Sequence, residues 1–214
     1  MVIRKRYIFI TVEGGDGSGK TTQSRLLSEY LVRKGFDVLL TREPGGSVLA
    51  GNIRSIILDP KSDIVPLSEL FLFEAARAQH IKKLIYPALE MGKVVVCDRF
   101  TDATVAYQGY GRKLDLKLIN KLNSIASVGL KPILTLYLDV MPFDGLSRAK
   151  GLNGKSYGYG GDRIERKSIR FHEDVRKGYL EQAKKYSRRI KVVKTQETAE
   201  KTHILVKDIV DKVL

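Results

Sequence analysis

Tyr7–Thr21, reading YIFITVEGGDGSGKT, decides the fold of this 214-residue chain. Tyr7–Val12 is an unbroken apolar run rich in β-branched residues, which predicts a strand buried on both faces. Lys20–Lys34 then places Leu26, Leu27, Tyr30 and Leu31 on one helical face, and Gly35 closes the helix. Between them Gly14–Thr21, GGDGSGKT, fits G-x-x-x-x-G-K-[ST] in the strand-to-helix setting that the motif requires. Glycines there let backbone N–H groups turn inward around phosphate oxygens, and the helix start adds the positive end of its dipole. Lys20 is then expected at the β- and γ-phosphates, with the Thr21 hydroxyl on Mg²⁺. The expected ATP-binding set is Gly14, Gly15, Asp16, Gly17, Ser18, Gly19, Lys20, Thr21 and Thr22.

Outward from that loop, apolar strands alternate with periodic helices. Strands are predicted at Phe36–Leu40, Val94–Cys97, Ile133–Leu138 and Ile190–Val193, and the turn TREPGG follows the first of these. A long helix is predicted over Leu67–Met91, kinked or interrupted near Pro87, and another over Thr198–Leu214. Alternating β and α elements with continuously apolar strands imply an α/β fold with a parallel sheet covered by helices on both faces. No linker divides residues 1–214, so a single domain is expected. Lys150–Gly161, KGLNGKSYGYGG, holds five glycines and predicts a mobile loop.

Composition narrows the class. Hydrophobic residues make up 43%, enough for a core, and no apolar run approaches the roughly 18 residues of a membrane span. The basic, apolar start is too short for a signal peptide, and the lone Cys97 excludes an internal disulfide. A soluble, cytoplasmic protein is expected. The net charge of +14 admits nucleic acid, an anionic substrate or a plain basic surface. Met141–Lys191 carries 14 cations against 6 anions, which concentrates the excess around the glycine-rich stretch and favours anionic nucleotides over nucleic acid.

A second anion site is expected at VVVCDRF, where a strand delivers Asp98 and Arg99 at its C-terminal end. Such an acid can hold a Mg²⁺-bound water and the arginine a phosphate, although Asp139, ending ILTLYLD, is a rival for the metal role. A guanine-reading N-K-x-D is met only by Asn120-Lys121-Leu122-Asn123, which lacks the acid and follows a helical pattern.

FITVEGGDGSGKTTQ, TREPGG, LFLFEAARAQH, DRFTDATVAYQG and DRIE occur in this order, and together they resemble the thymidylate kinase family. The resemblance implies a three-layer P-loop kinase fold with five parallel strands, a homodimer, and transfer of the γ-phosphoryl group of ATP to dTMP with Mg²⁺. It places Asp16 at the sugar 3′-hydroxyl, Phe73 on the thymine ring, Arg77 at O4, and Arg99 on the dTMP phosphate. Asp98 stands near Mg²⁺, Thr104 and Gln108 read the base, and Tyr107 crowds the sugar 2′ position. Thr104, Tyr107 and Gln108 share one face at helical spacing. Arg42, Glu43 and Pro44 of TREPGG are expected at the mouth of the monophosphate site, Pro44 shaping it and Glu43 placing metal or water. Other readings are a kinase for dUMP or dCMP and, in a different class, a basic P-loop ATPase acting on nucleic acid.

Gly17 stands where one branch of the family carries an arginine, so a cation must come from elsewhere. The resemblance implies a lid, here about residues 146–166, closing over ATP, and Arg148 and Arg163 are its candidate catalytic cations. Asp162 and Glu165 are expected to hold the lid or the metal shell. Ala103 replaces a hydroxyl residue common in the family, so one bond to the base is expected to be missing.

Overall fold

The β-branched runs pair in parallel because each is followed by a helix that carries the chain back to the starting edge. The computed structural model describes residues 7–152 and 161–214. Among them, β1 (Phe9–Gly14), β2 (Val38–Arg42), β3 (Val94–Asp98), β4 (Leu134–Asp139) and β5 (Ile190–Lys194) form one parallel sheet in the order β2-β3-β1-β4-β5. The helices are α1 (Lys20–Arg33), α2 (Val48–Leu58), α3 (Pro66–His80), α4 (Tyr86–Glu90), α5 (Thr101–Thr104), α6 (Leu116–Ala126), α7 (Pro142–Leu152), α8 (Ile169–Lys185) and α9 (Ala199–Asp211).

Successive strand residues point to opposite faces, and both faces are apolar. Ile10, Val12, Val94, Val96, Leu134 and Leu136 meet Leu27 and Leu31 of α1 and Val206 and Val210 of α9. On the other face Phe9, Val95 and Cys97 meet Ile85, Leu89 and Phe100, and Tyr137 packs with Val175 and Tyr179 of α8. Each fully buried aliphatic side chain contributes about 1.5–3 kcal/mol, so these two layers hold the sheet edge rigid under the site. Strand order reverses at β1, which has β3 on one side and β4 on the other. That reversal opens a crevice beyond the C-terminal strand ends.

The structure adjusts several expectations. Strands run one or two residues further than the apolar runs at their C-terminal ends, because the ladder continues through pairs such as Val12–Asp98 and Gly14–Leu138. The interruption expected at Pro87 lies just upstream, as a π-helical stretch over Ile81–Ile85 joining α3 to α4. A widened turn accommodates a proline that can neither donate to the helix nor pack against the preceding turn. A second π-helical stretch, Val105–Gly111, follows α5, so ordinary helical spacing does not describe Tyr107 and Gln108. Helix α2 was not anticipated, since VLAGNIRSIIL has no clear polar face. The expected loop at Lys150–Gly161 begins on α7, which extends through Leu152; residues 153–160 of that loop and of the lid lie outside the described residues.

Candidate active site

The loop after β1 and the segment after β3 meet over the crevice. Gly17 and Gly19 adopt φ of 69° and 87°, a left-handed conformation that costs glycine little. A side chain at 17 would also strike the backbone of Gly145 on α7, so this chain packs the phosphate loop against α7 without space for an arginine there. Gly14 ends β1, Gly15, Ser18 and Gly19 complete the loop, and Lys20, Thr21 and Thr22 open α1. Lys20 folds onto its own loop, donating to the Gly15 carbonyl at 2.6 Å. Burial, helped by Arg99, pushes its ammonium down to about 8.

Thr21 Oγ1 donates to Asp98 Oδ2 at 2.7 Å, which joins the two elements at the point expected to hold metal. Asp139, the rival acid, takes a bidentate fork from Arg176 at 2.7 and 2.9 Å and a bond from Tyr137. Among the described residues no cluster of three or more His, Cys, Asp or Glu side chains offers a protein-built metal cage. A hydroxyl beside one carboxylate instead fits Mg²⁺, which keeps waters and shares phosphate oxygens with one or two protein ligands.

Arg99 has φ of 71°, uncommon for a non-glycine residue. The turn sends its guanidinium back over β1, with Nη1 donating to the Gly14 carbonyl at 3.0 Å and Nη2 to Asp16 Oδ1 at 2.7 Å. Tyr107 bonds both members of the pair, at 3.1 Å to Arg99 and 3.2 Å to Asp16. Burial works against the Asp16 charge, but Arg99 and Lys20 overcome it and hold the carboxyl below its usual range.

A cavity of about 230 Å³ adjoins these groups, its lining including Asp16, Gly17, Lys20, Thr21, Glu43, Pro44, Phe73, Arg77, Asp98, Arg99, Thr104, Tyr107 and Gln108. Phe73 is half-buried on this wall and its neighbour Phe71 is exposed. Arg77 is buried, and donates to Glu43 at 2.8 Å, Glu74 at 3.0 Å, Asn123 at 2.7 Å and Thr104 at 3.0 Å. Asn123, part of the weak guanine-motif candidate, therefore sits on α6 as a structural partner. Asp162, Ile164 and Glu165 close the cavity from the far side of the glycine-rich stretch, and Asp162 Oδ1 caps its turn through the N–H groups of Ile164 and Glu165. Ala103 also lines the wall.

One role expected from sequence does not match the geometry. Arg163 is only 8% exposed; it donates to the Ile57 carbonyl at 2.8 Å and to Glu69, so it anchors its segment and faces no open phosphate site. Glu43 is buried, with its oxygens bonded to Arg77 and His80, so it steadies the arginine while lining the same cavity as Thr21. Arg148 is exposed on α7. Arg42, expected at the mouth of the site, lines the cavity; sequence reasoning missed Arg54, which also lines it, and Tyr179, whose hydroxyl meets Glu13 at 2.8 Å. Arg54 sits on α2, a helix without a counterpart among the predicted elements.

The family model described as thymidylate kinase matches residues 12–206. The chain is 50% identical over 201 residues to the thymidylate kinase of Geobacter sp. (strain M21), covering 94% of this chain and 89% of that one. It is 45% identical to the thymidylate kinase of Gloeobacter violaceus over 204 residues, 95% and 94% of the two chains. The crystal structure of thymidylate kinase from Ehrlichia chaffeensis superposes with a TM-score of 0.77 at 36% identity, covering 95% of this chain and 98% of that one. This chain belongs to the thymidylate kinase family.

Proposed function

We propose that the chain phosphorylates dTMP to dTDP with ATP. One observation carries the reading beyond family membership: a single cavity joins Lys20 and Thr21 to Arg99 and to a base pocket walled by Phe73, Arg77 and Gln108. Donor phosphates lie along the loop after β1, and the acceptor phosphate replaces Asp16 as the partner of Arg99. Asp16 is then free for the sugar 3′-hydroxyl, with Tyr107 filling the space a 2′-hydroxyl would need. Phe73 stacks on the thymine. The acceptor is a phosphate already ionised at neutral pH, so no general base is needed, and catalysis rests on position and charge. Thr21 and, through water, Asp98 would hold Mg²⁺, which would supply charge neutralisation at the phosphates. Arg148 supplies the mobile cation, since Arg163 is committed elsewhere.

A homodimer fits the outer surface. Val48, Leu49 and Ile56 of α2, Leu67 and Phe71 of α3, and Leu118 and Ile125 of α6 are all exposed on helices packed side by side. Such an apolar face is usually covered by a partner. Among the described residues no helix is long and apolar enough to cross a membrane, and we place the enzyme in the cytoplasm. A panel of nucleoside monophosphates in an ADP-release assay tests the assignment: dTMP should be the best acceptor, and dTMP turned over no faster than dCMP refutes it.

A further inference from the structure

Glu69 stands behind the base pocket without lining it. It is 1% exposed, and every bond to its carboxylate is a donated one. Oε1 accepts from Gln108 Nε2 at 2.8 Å and Arg112 Nε at 3.0 Å; Oε2 accepts from Arg112 Nη2 at 2.7 Å and from Arg163. Burial opposes its charge, but the bonds from Arg112, Gln108 and Arg163 prevail and hold the carboxyl below its ordinary value. An ionised carboxylate has no proton to give, so only the NH₂ end of Gln108 can face it. That turns the amide oxygen of Gln108 the other way, on the side where the residue lines the cavity, and among the described residues no hydrogen bond reaches it.

Arg77 supplies the complementary group. A guanidinium has five N–H donors. Glu43, Glu74, Asn123 and Thr104 engage four of them, which leaves one on Nη2. The wall therefore offers an acceptor at Gln108 beside a donor at Arg77. Thymine and uracil present a ring N–H beside a carbonyl and match this order, whereas cytosine presents a bare ring nitrogen beside an amino group and inverts it. We propose that Glu69 is a positioning residue for specificity: by locking the Gln108 amide, it makes the pocket accept thymine or uracil and reject cytosine. The inference rests on the dTMP reading above. It also explains why Arg163 is buried: that arginine, from the segment after the glycine-rich stretch, adds a second charged donor on Oε2 and helps keep the carboxylate ionised.

The test compares kcat/KM for dTMP and dCMP in the full chain and in Glu69→Gln, Gln108→Leu, the double variant and Arg112→Gln. A glutamine at 69 can present either amide end, so Gln108 is free to flip. The dTMP:dCMP ratio should fall about tenfold or more in Glu69→Gln, chiefly through KM, because the site no longer penalises the mismatched base with unpaired groups. The double variant should be no less selective than Gln108→Leu alone, since Glu69 acts through Gln108. Arg112→Gln, which leaves the Glu69–Gln108 bond in place, should retain most of the ratio. An unchanged ratio in Glu69→Gln, an additive loss in the double variant, or an equal fall in Arg112→Gln overturns the inference. A wild-type enzyme without preference for dTMP over dCMP overturns the functional reading itself, a separate result. Should Glu69→Gln fail to fold, the Gln108 NH₂ of ¹⁵N-labelled wild-type protein, assigned by its loss in Gln108→Leu, serves instead. It should exchange slowly with water with and without dTMP, and exchange at the rate of a free amide overturns the lock.

Discussion

Glu13, the acid of VEGG, offers a quantitative test of how the site is wired. It is fully buried, with Oε1 accepting from the Phe100 N–H at 2.7 Å and Oε2 bonded to the Tyr179 hydroxyl at 2.8 Å. Burial, reinforced by Asp102, pushes its carboxyl from 4.5 up to about 8 despite the opposing pull of Arg99. Between those two values the folded chain holds a proton that the unfolded chain releases. Stability contributed by Glu13 is therefore complete below about pH 4.5 and is lost as pH rises through about 8. From about pH 5 to about pH 8.5 this amounts to at most about 4 kcal/mol, at 1.36 kcal/mol per unit of separation. Glu13→Gln keeps the size and the neutral charge, so near pH 5 it should melt close to the wild type. Near pH 8.5 it should melt higher, by up to roughly 10 °C for a chain of this length. Thermal melts of both proteins across this range provide the measurement, and the titration of other groups cancels in the difference to first order. A melting difference that stays flat, or shrinks as pH rises, would refute a protonated Glu13 and with it the desolvation argument for this part of the crevice.

Two substitutions separate the roles assigned to the lid arginines. Arg148→Ala should leave the melting temperature nearly unchanged while kcat falls about 10³-fold or more, as for other cations placed on a transferring phosphoryl group, and a loss under tenfold refutes the assignment. Arg163→Ala should instead cost roughly 1.5–3 kcal/mol in denaturant unfolding, because it removes a buried charged bond to Glu69, which Arg112 still pairs, with kcat lowered less than tenfold. Asp98→Asn, which keeps a bond acceptor for Thr21, should raise the Mg²⁺ concentration for half-maximal activity about 10–100-fold without a matching loss of stability. An unchanged Mg²⁺ titration would remove Asp98 from the metal site.

Much of the architecture is legible in local sequence. Buried parallel strands must be apolar on both faces, so the five runs announce themselves. The phosphate loop is equally visible, because backbone wrapped around an anion needs glycines at set positions followed by Lys-Thr. What local patterns resolve poorly are the helices with mixed faces, such as α2, and the π-helical stretches, where a tertiary contact or a proline decides the winding. Partnership between charges is harder still. Asp98 and Asp139 both end apolar strands, and only the packing of α8, which brings Arg176 to Asp139, distinguishes them.

Sequence by itself determined the strand count, the phosphate loop, the presence of Asp98 and Arg99 at a strand end, and membership in a family. Tertiary structure alone decided which cations are free. Arg163 and Arg148 are alike as letters flanking a glycine-rich stretch, yet one is sealed against Glu69 and the other lies exposed on α7. The same holds for the Gln108 amide, whose orientation is set by an acid 39 residues away. The physical reason is range: strand and loop propensities act over a few neighbouring residues, whereas the charge state and hydrogen-bond sense of a buried group depend on whatever the fold packs against it.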